Sequence, residues 1–227
     1  MNKKLVSLFA VLFCGILAYA QEFSPRESWP YIYEDFQEGA ASTGSGDVVT
    51  EGFFNVVLVK GRLMYIGKDG KIMLADMSRV NSARLGSDIF INVGGSMYKL
   101  VQASGKCCLL QGKEYDKDQD SKVNIGYGVS SATSTSYEMV ILLDGRFNSM
   151  SKNIALLESQ KFEGRVLPVK ETHYFYLDGK LIPATRSSVM SIPGIDRKAA
   201  NAFIKKEKIR WNKPETLKKL AGWLGEN

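Results

Sequence analysis

From residue 52 onward, short runs of Val, Ile, Leu, Tyr, Phe and Met alternate with glycine-bearing turn signals. FFNVVLV is followed by Lys60-Gly61 and RLMYIG, and Asp69-Gly70 precedes KIMLA. SRVNSARLG stops before Ser87-Asp88, IFINV runs into Gly94-Gly95, and SMYKLVQA meets Ser104-Gly105 ahead of KCCLLQG. Such turns need positive φ, which glycine adopts without a Cβ clash. Repeated every ~8–12 residues, they predict an antiparallel β-meander, as a sheet, a sandwich or a partly open barrel. A parallel sheet would need helical crossovers, and the spacing leaves no room for them. The rhythm pauses across EYDKDQDSKVN and the Gly-, Ser- and Thr-rich GYGVSSATSTSYE, which read as exposed loops. It resumes with EMVILL, Asp144-Gly145 and RFNSM, and then with THYFYL and KLIPA flanking Asp178-Gly179. AASTGSGDVV, ahead of the first clear strand, carries no register signal.

Near Ala184 the period changes from two to that of a helix. RKAANAFIKKEK sets Ala199, Ala200, Phe203 and Ile204 on one stripe with lysines opposite, and Asp196 stands as an N-cap. NKPETLKKLAGWLGEN spaces Leu217, Leu220, Ala221 and Leu224 at i, i+3, i+4 and i+7, with Pro214 in the first turn and Gly225 as the stop. Helices this short cannot bury their own stripes, so they are expected to dock on each other and on the sheet. The predicted organisation is α+β: a β-rich body over residues 21–183 and a small helical subdomain over residues 184–227.

The start of the chain gives an address. Lys3 and Lys4 precede an apolar stretch over residues 5–17, too short for the ~20 residues of a membrane span. Ala18-Tyr19-Ala20 then offers small residues at the −3 and −1 positions of a cleavage site. This predicts a signal peptide cleaved after Ala20, and an exported protein that is periplasmic or outer-membrane-associated. Phe13 ahead of Cys14 argues against a lipid-modified cysteine. No later stretch is long and apolar enough to span a bilayer. Loss of the leader lowers the formal charge from +6 to +4, with 28 Lys and Arg against 24 Asp and Glu. That excess falls short of the dense basic stripe of a phosphate-backbone binder. Cys107 and Cys108 are adjacent, and in a strand their Cβ atoms point to opposite faces, so two free thiols are expected.

Candidate chemistry is sparse. SIPGIDRKAANAFIKK resembles a helix-hairpin-helix module, whose Pro-Gly turn binds phosphate at a helix N-terminus. Asp196 occupies the place of that module's second glycine and sets a carboxylate where phosphate would approach, so nucleic-acid binding is not expected. Asp116, Asp118 and Asp120 stand at positions 1, 3 and 5 of an EF-hand-like loop. Ser121 and Tyr127 replace the turn glycine and the bidentate glutamate, which leaves a solvated acidic loop and weak calcium candidates. His173, the single histidine, shares a strand face with Phe175 and Leu177 and reads as a satisfied core residue. No Gly-x-Ser-x-Gly elbow, phosphate loop or dinucleotide fingerprint is present, and no cofactor is implied. Carboxylate pairs for glycoside hydrolysis assemble only in space. Trp29, Tyr31 and Tyr33 alternate in EFSPRESWPYIYEDFQEG. They read as an arm pinned to the core, or as a weak candidate for sugar stacking or a strand offered to a partner.

Together, WPYIYEDFQEG, NVVLVKGRLMYI with DGKI, GYGVSSATSTS and FIKKEKIRWNKPETLKKLAGWL resemble an uncharacterised family of exported Bacteroidetes proteins. The likeness spans most of the chain after the leader. It implies export in a Gram-negative cell and supplies no catalytic residues. The expectation is a non-enzymatic binding or structural protein of the cell envelope whose partner is an envelope protein, a peptide or a glycan. A hydrolase built on paired carboxylates is the first alternative, and a periplasmic nucleic-acid binder acting through the Ile192–Asp196 turn is the less favoured second.

Overall fold

The computed structural model describes residues 30–44, 48–116 and 169–226. The fold is α+β and, among the described residues, has ten antiparallel strands in one open sheet followed by three C-terminal helices. The strands are β1 (Gln37–Thr43), β2 (Val48–Val57), β3 (Arg62–Ile66), β4 (Ile72–Leu74), β5 (Val80–Leu85), β6 (Asp88–Val93), β7 (Ser96–Ser104), β8 (Cys107–Tyr115), β9 (Val169–Leu177) and β10 (Lys180–Pro183). Within the described residues the turn signals act as predicted, and Asp144-Gly145 with its flanking runs EMVILL and RFNSM lies outside them. Lys60 and Gly61 both have positive φ (62° and 56°), as do Gly94 and Gly95 (62° and 83°) and Asp178 and Gly179 (48° and 76°), which matches the twist of the flanking strands. One turn is offset by a residue: Gly86 takes the positive φ and Asp88 already belongs to β6.

The spatial order is β10-β9-β8-β7-β6-β5-β1-β2-β3-β4. Two meanders, β1–β4 and β5–β10, are thus joined where β5 returns beside β1. The return segment buries Ala75 and Met77 in the core on its way. β1 is the strand that carried no sequence signal. Its sequence, QEGAAST, is poor in the branched and aromatic residues that favour strands. The packing explains it. β1 lies between β2 and β5, and a Cβ on Gly39 would come within 1.9 Å of the Arg84 carbonyl oxygen. Ala41 faces Ala83 across the ladder, and both are buried. Small residues let the sheet curl tightly here.

The curl brings distant turns together. The Met97 N–H donates to the Gly61 carbonyl at 2.8 Å, Ser96 Oγ to the Lys60 carbonyl at 3.0 Å, and Arg62 Nη1 to the Gly95 carbonyl at 2.7 Å. Strands β1–β3 and β5–β7 therefore wrap into a partly open barrel around Phe54, Val56, Leu58, Leu63, Ala83, Leu85, Phe90 and Met97. Beyond β7 the sheet stays open, and the helices cover it.

The helices are α1 (Arg186–Met190), α2 (Arg197–Lys206) and α3 (Pro214–Glu226). Thr185 caps α1, and Asp196 caps α2 by accepting from the N–H groups of Lys198 and Ala199. Leu217, Leu220, Ala221 and Leu224 of α3 are all buried, with Cys107 and Leu109 of β8, Phe175 of β9, Val189 of α1 and Ile204 of α2 in the same core. Two details differ from the sequence reading. Ala199 is exposed, because Ala200 and Ile204 alone turn inward from α2 with Phe203 half-buried beside them. Gly225 does not stop α3, which runs on to Glu226. Its missing Cβ makes room for the β7–β8 turn, since a Cβ there would sit 1.9 Å from the Ser104 carbonyl oxygen.

Candidate functional site

The aromatic segment near the N-terminus is held rather than offered. Residues 30–32 run along the end of β2: the Ile32 N–H donates to the Val56 carbonyl and the Leu58 N–H to the Pro30 carbonyl, each at 2.9 Å. Between this contact and β1 the chain bulges, and the buried side chain of Asn55 ties the bulge down. Its Nδ2 donates to the carbonyls of Tyr33 (2.9 Å) and Asp35 (3.2 Å), and its Oδ1 accepts from the N–H groups of Tyr33 (3.2 Å) and Val56 (2.9 Å). Tyr31 is 5% exposed and packs on Val57, Met64 and the edge of Phe36. Tyr33 turns to the barrel side and meets Phe90 edge-on. The two tyrosines therefore sit in different clusters and form no shared stacking platform. Trp29 lies outside the described residues.

The residues with chemical potential converge elsewhere. The registers Phe90↔Lys99, Lys99↔Gln111, Gln111↔His173 and Lys113↔Glu171 put Lys99, Gln111, Lys113, Glu171 and His173 on the face that lines the barrel. Asp88, paired with Leu85, joins them. They form a polar band between the barrel core and the helix-covered core. At one end, Asp88 Oδ2 accepts from Tyr33 Oη at 2.5 Å and from Lys99 Nζ at 2.6 Å. Burial and the bond to Asp88 raise the Tyr33 phenol well above its ordinary pKa, so it remains a donor. At the other end, Glu171 lies 3.7 Å from both Lys113 Nζ and His173 Nε2. Burial lowers the pKa of Lys113, with Glu171 opposing it.

His173 departs from the sequence reading. It is half-buried rather than a core residue, and its enclosed Nε2 has no hydrogen-bond partner, because 3.7 Å to Glu171 is too long for a hydrogen bond. Burial also lowers its pKa, with Glu171 again opposing. The band offers alternating acids and bases, mostly engaged with one another. Of the carboxylates that a hydrolase would need, Asp88 is tied to Tyr33 and Lys99, and Glu171 lies 3.7 Å from Lys113.

The remaining predicted sites fall into place simply. At the Pro-Gly turn, Gly194 has φ +78°, and Asp196 Oδ1 takes the Lys198 and Ala199 N–H groups at 2.9 and 3.1 Å. Those are the amides that a phosphate would need. Asp116 is the last residue described after β8, and Asp118 and Asp120 lie outside the described residues. Among the described residues, no group of three or more His, Cys, Asp and Glu could hold a metal ion. Cys107 and Cys108 are free thiols on opposite faces of β8, and burial pushes the Cys107 thiol up to about 12. Among the described residues, no helix is long and apolar enough to cross a membrane.

On the reverse face a shallow crevice of ≈ 50 Å³ lies between the β2–β3 turn and strands β7–β9, floored by Gly112 under the Tyr98–Tyr174 pair. The same outer face is apolar and open at β2–β4. Phe53 (51% exposed), Ile66 (37%) and Ile72 (39%) form a row there, with Ile66 and Ile72 directly paired. β4 has no strand on its far side among the described residues. Sequence reading missed both features. The signal for the band was an alternation, Glu171-x-His173-x-Phe175, mixing charge and core on one strand face. Comparison with protein-family models, with characterised proteins and with solved structures gives no match for this chain.

Proposed function

We propose that this is an exported cell-envelope protein that works as a non-enzymatic binding or structural protein and takes an extended segment of a partner protein along its β3–β4 edge. The observation that carries the reading is the exposed row Phe53–Ile66–Ile72 beside a three-residue edge strand. A strand added to β4 gains main-chain hydrogen bonds, and alternate side chains of that strand cover the apolar row. Burial of Tyr31 weighs against glycan stacking. The mutual engagement of Asp88, Lys99, Lys113 and Glu171 weighs against the alternative of hydrolysis by paired carboxylates, which would need two acids free to act on a substrate.

The test is an NMR titration with extended peptides of alternating apolar and polar residues. Amide shifts confined to Ile72, Met73 and Leu74, with methyl shifts at Ile66 and Ile72, support the proposal, and Ile72→Lys should abolish them. Shifts that fall instead on Asp88, Lys99 and Glu171, or no shifts at all, contradict it.

A further inference from the structure

Charge is unevenly divided along this chain. Residues 184–227 hold ten Lys or Arg against four Asp or Glu, whereas residues 21–183 hold eighteen against twenty. Three of the four acids in the helical part are engaged within it. Glu207 pairs with Lys219 at 2.9 Å, Glu215 pairs with Lys218 at 3.1 Å, and Asp196 caps α2. The inward turn of Ala200 and Ile204 leaves Lys198, Lys205 and Lys206 on the exposed face of α2, with only Ala199 and Ala202 between them. The chain continues through exposed Lys208, Arg210 and Lys213, and half-buried Trp211 stands among them. Among the described residues, none of these six cations has a carboxylate within ion-pair distance.

This basic face is preset. Ile209 is buried, and its N–H donates to the Ile204 carbonyl at 3.0 Å. Thr216 Oγ1 accepts the Arg210 N–H at 3.0 Å and donates to the Arg210 carbonyl at 2.8 Å. Little ordering cost therefore remains when a partner arrives.

We infer that this face docks on an anionic bilayer surface, with the exposed side of the Trp211 indole, whose other side packs on the helix-covered core, meeting the headgroup layer. Charge complementarity carries the inference: six exposed cations between residues 198 and 213, none in an ion pair among the described residues, suit a broad polyanionic surface rather than one enclosed anion. Each cation held near such a surface raises affinity about fivefold. An indole among them suits the membrane–water interface, where its apolar body and N–H are both accommodated. A nucleic acid fits less well, because Asp196 already holds the hairpin amides that would grip phosphate. This docking is independent of the β4 edge.

Residues 21–227 are sedimented with phosphatidylcholine vesicles that contain or lack a quarter of phosphatidylglycerol. Binding is expected only to the anionic vesicles and is expected to weaken with added salt. A Lys205→Gln, Lys206→Gln, Arg210→Gln variant with an unchanged circular dichroism spectrum should bind about a hundredfold more weakly. The vesicle-induced blue shift of tryptophan fluorescence should vanish in Trp211→Phe and persist in Trp223→Phe. Ile72→Lys should bind vesicles normally, so failure here and failure of the edge proposal read out separately. Equal binding to both vesicles, full binding by the triple variant, competition by millimolar glycerol phosphate, or tighter binding of duplex DNA through the same cations would overturn the inference.

Discussion

The barrel core and the helix-covered core lie on one face of one sheet, yet they exclude water differently. The barrel half curls until its own turns meet, and it uses Gly39, Ala41 and Ala83 to allow the curvature. The β8–β10 half stays open and recruits α1–α3, sealing the junction where Gly225 meets the β7–β8 turn. The polar band of Asp88, Lys99, Gln111, Lys113, Glu171 and His173 stands where neither device reaches. The groups most suggestive of chemistry thus mark a seam between two ways of building a core. The surfaces left open lie elsewhere, on the reverse face at β2–β4 and on the basic side of α2.

The strongest challenge to this comparison truncates one aromatic in each core. Phe90 and Phe175 are both fully buried, and Phe90→Ala and Phe175→Ala should each cost about 3–5 kcal/mol in urea unfolding. Because β7 and β8 join the two cores, each variant should lower one shared midpoint. A second, smaller transition in Phe175→Ala alone would mean that the helix-covered half stands apart.

A milder pair probes the close approaches. Gly39→Ala and Gly225→Ala each drive a Cβ into a backbone carbonyl, and each should destabilise by about 1–3 kcal/mol. Gly222 is the control in the same helix. Nothing lies within 4 Å of its would-be Cβ, so Gly222→Ala should stabilise by about 0.5–1 kcal/mol through helix propensity. Thermal melts of the three variants check both signs.

The smallest effect belongs to the seam. Burial lowers the pKa of His173, so the unfolded chain takes up a proton at a pH where the folded chain does not. Stability should therefore fall as pH drops through the ordinary imidazole range near ~6.5, and recover as pH rises. His173→Gln should flatten that stretch of the stability–pH profile. An unchanged profile would show that His173 does not carry the effect.

Legibility in the sequence followed locality. Turns at Lys60-Gly61, Gly94-Gly95 and Asp178-Gly179, the α3 stripe and the Asp196 cap are each written within a few residues, and they can be read directly. β1 could not be read, because its small residues make sense only between β2 and β5. The return of β5 to β1 is likewise invisible in a pattern that otherwise reads as one meander. Gly225 reads as a helix stop until the β7–β8 turn is laid against it. The polar band needs five elements in register, since no two of Asp88, Lys99, Lys113 and Glu171 share a strand, and Tyr33 comes from the bulge before β1. Tyr31 and Tyr33 alternate in sequence, but the Asn55-held bulge sends them into separate clusters.

The most direct test of two cores on one shared sheet uses the placement of the tryptophans. With Trp29→Phe, Trp211 and Trp223 remain, both packed against the helix-covered core, so their fluorescence reports on that half. Far-ultraviolet circular dichroism of the same sample reports on the whole sheet. The two urea unfolding curves should superimpose. A fluorescence midpoint clearly below a two-step dichroism curve would contradict the account.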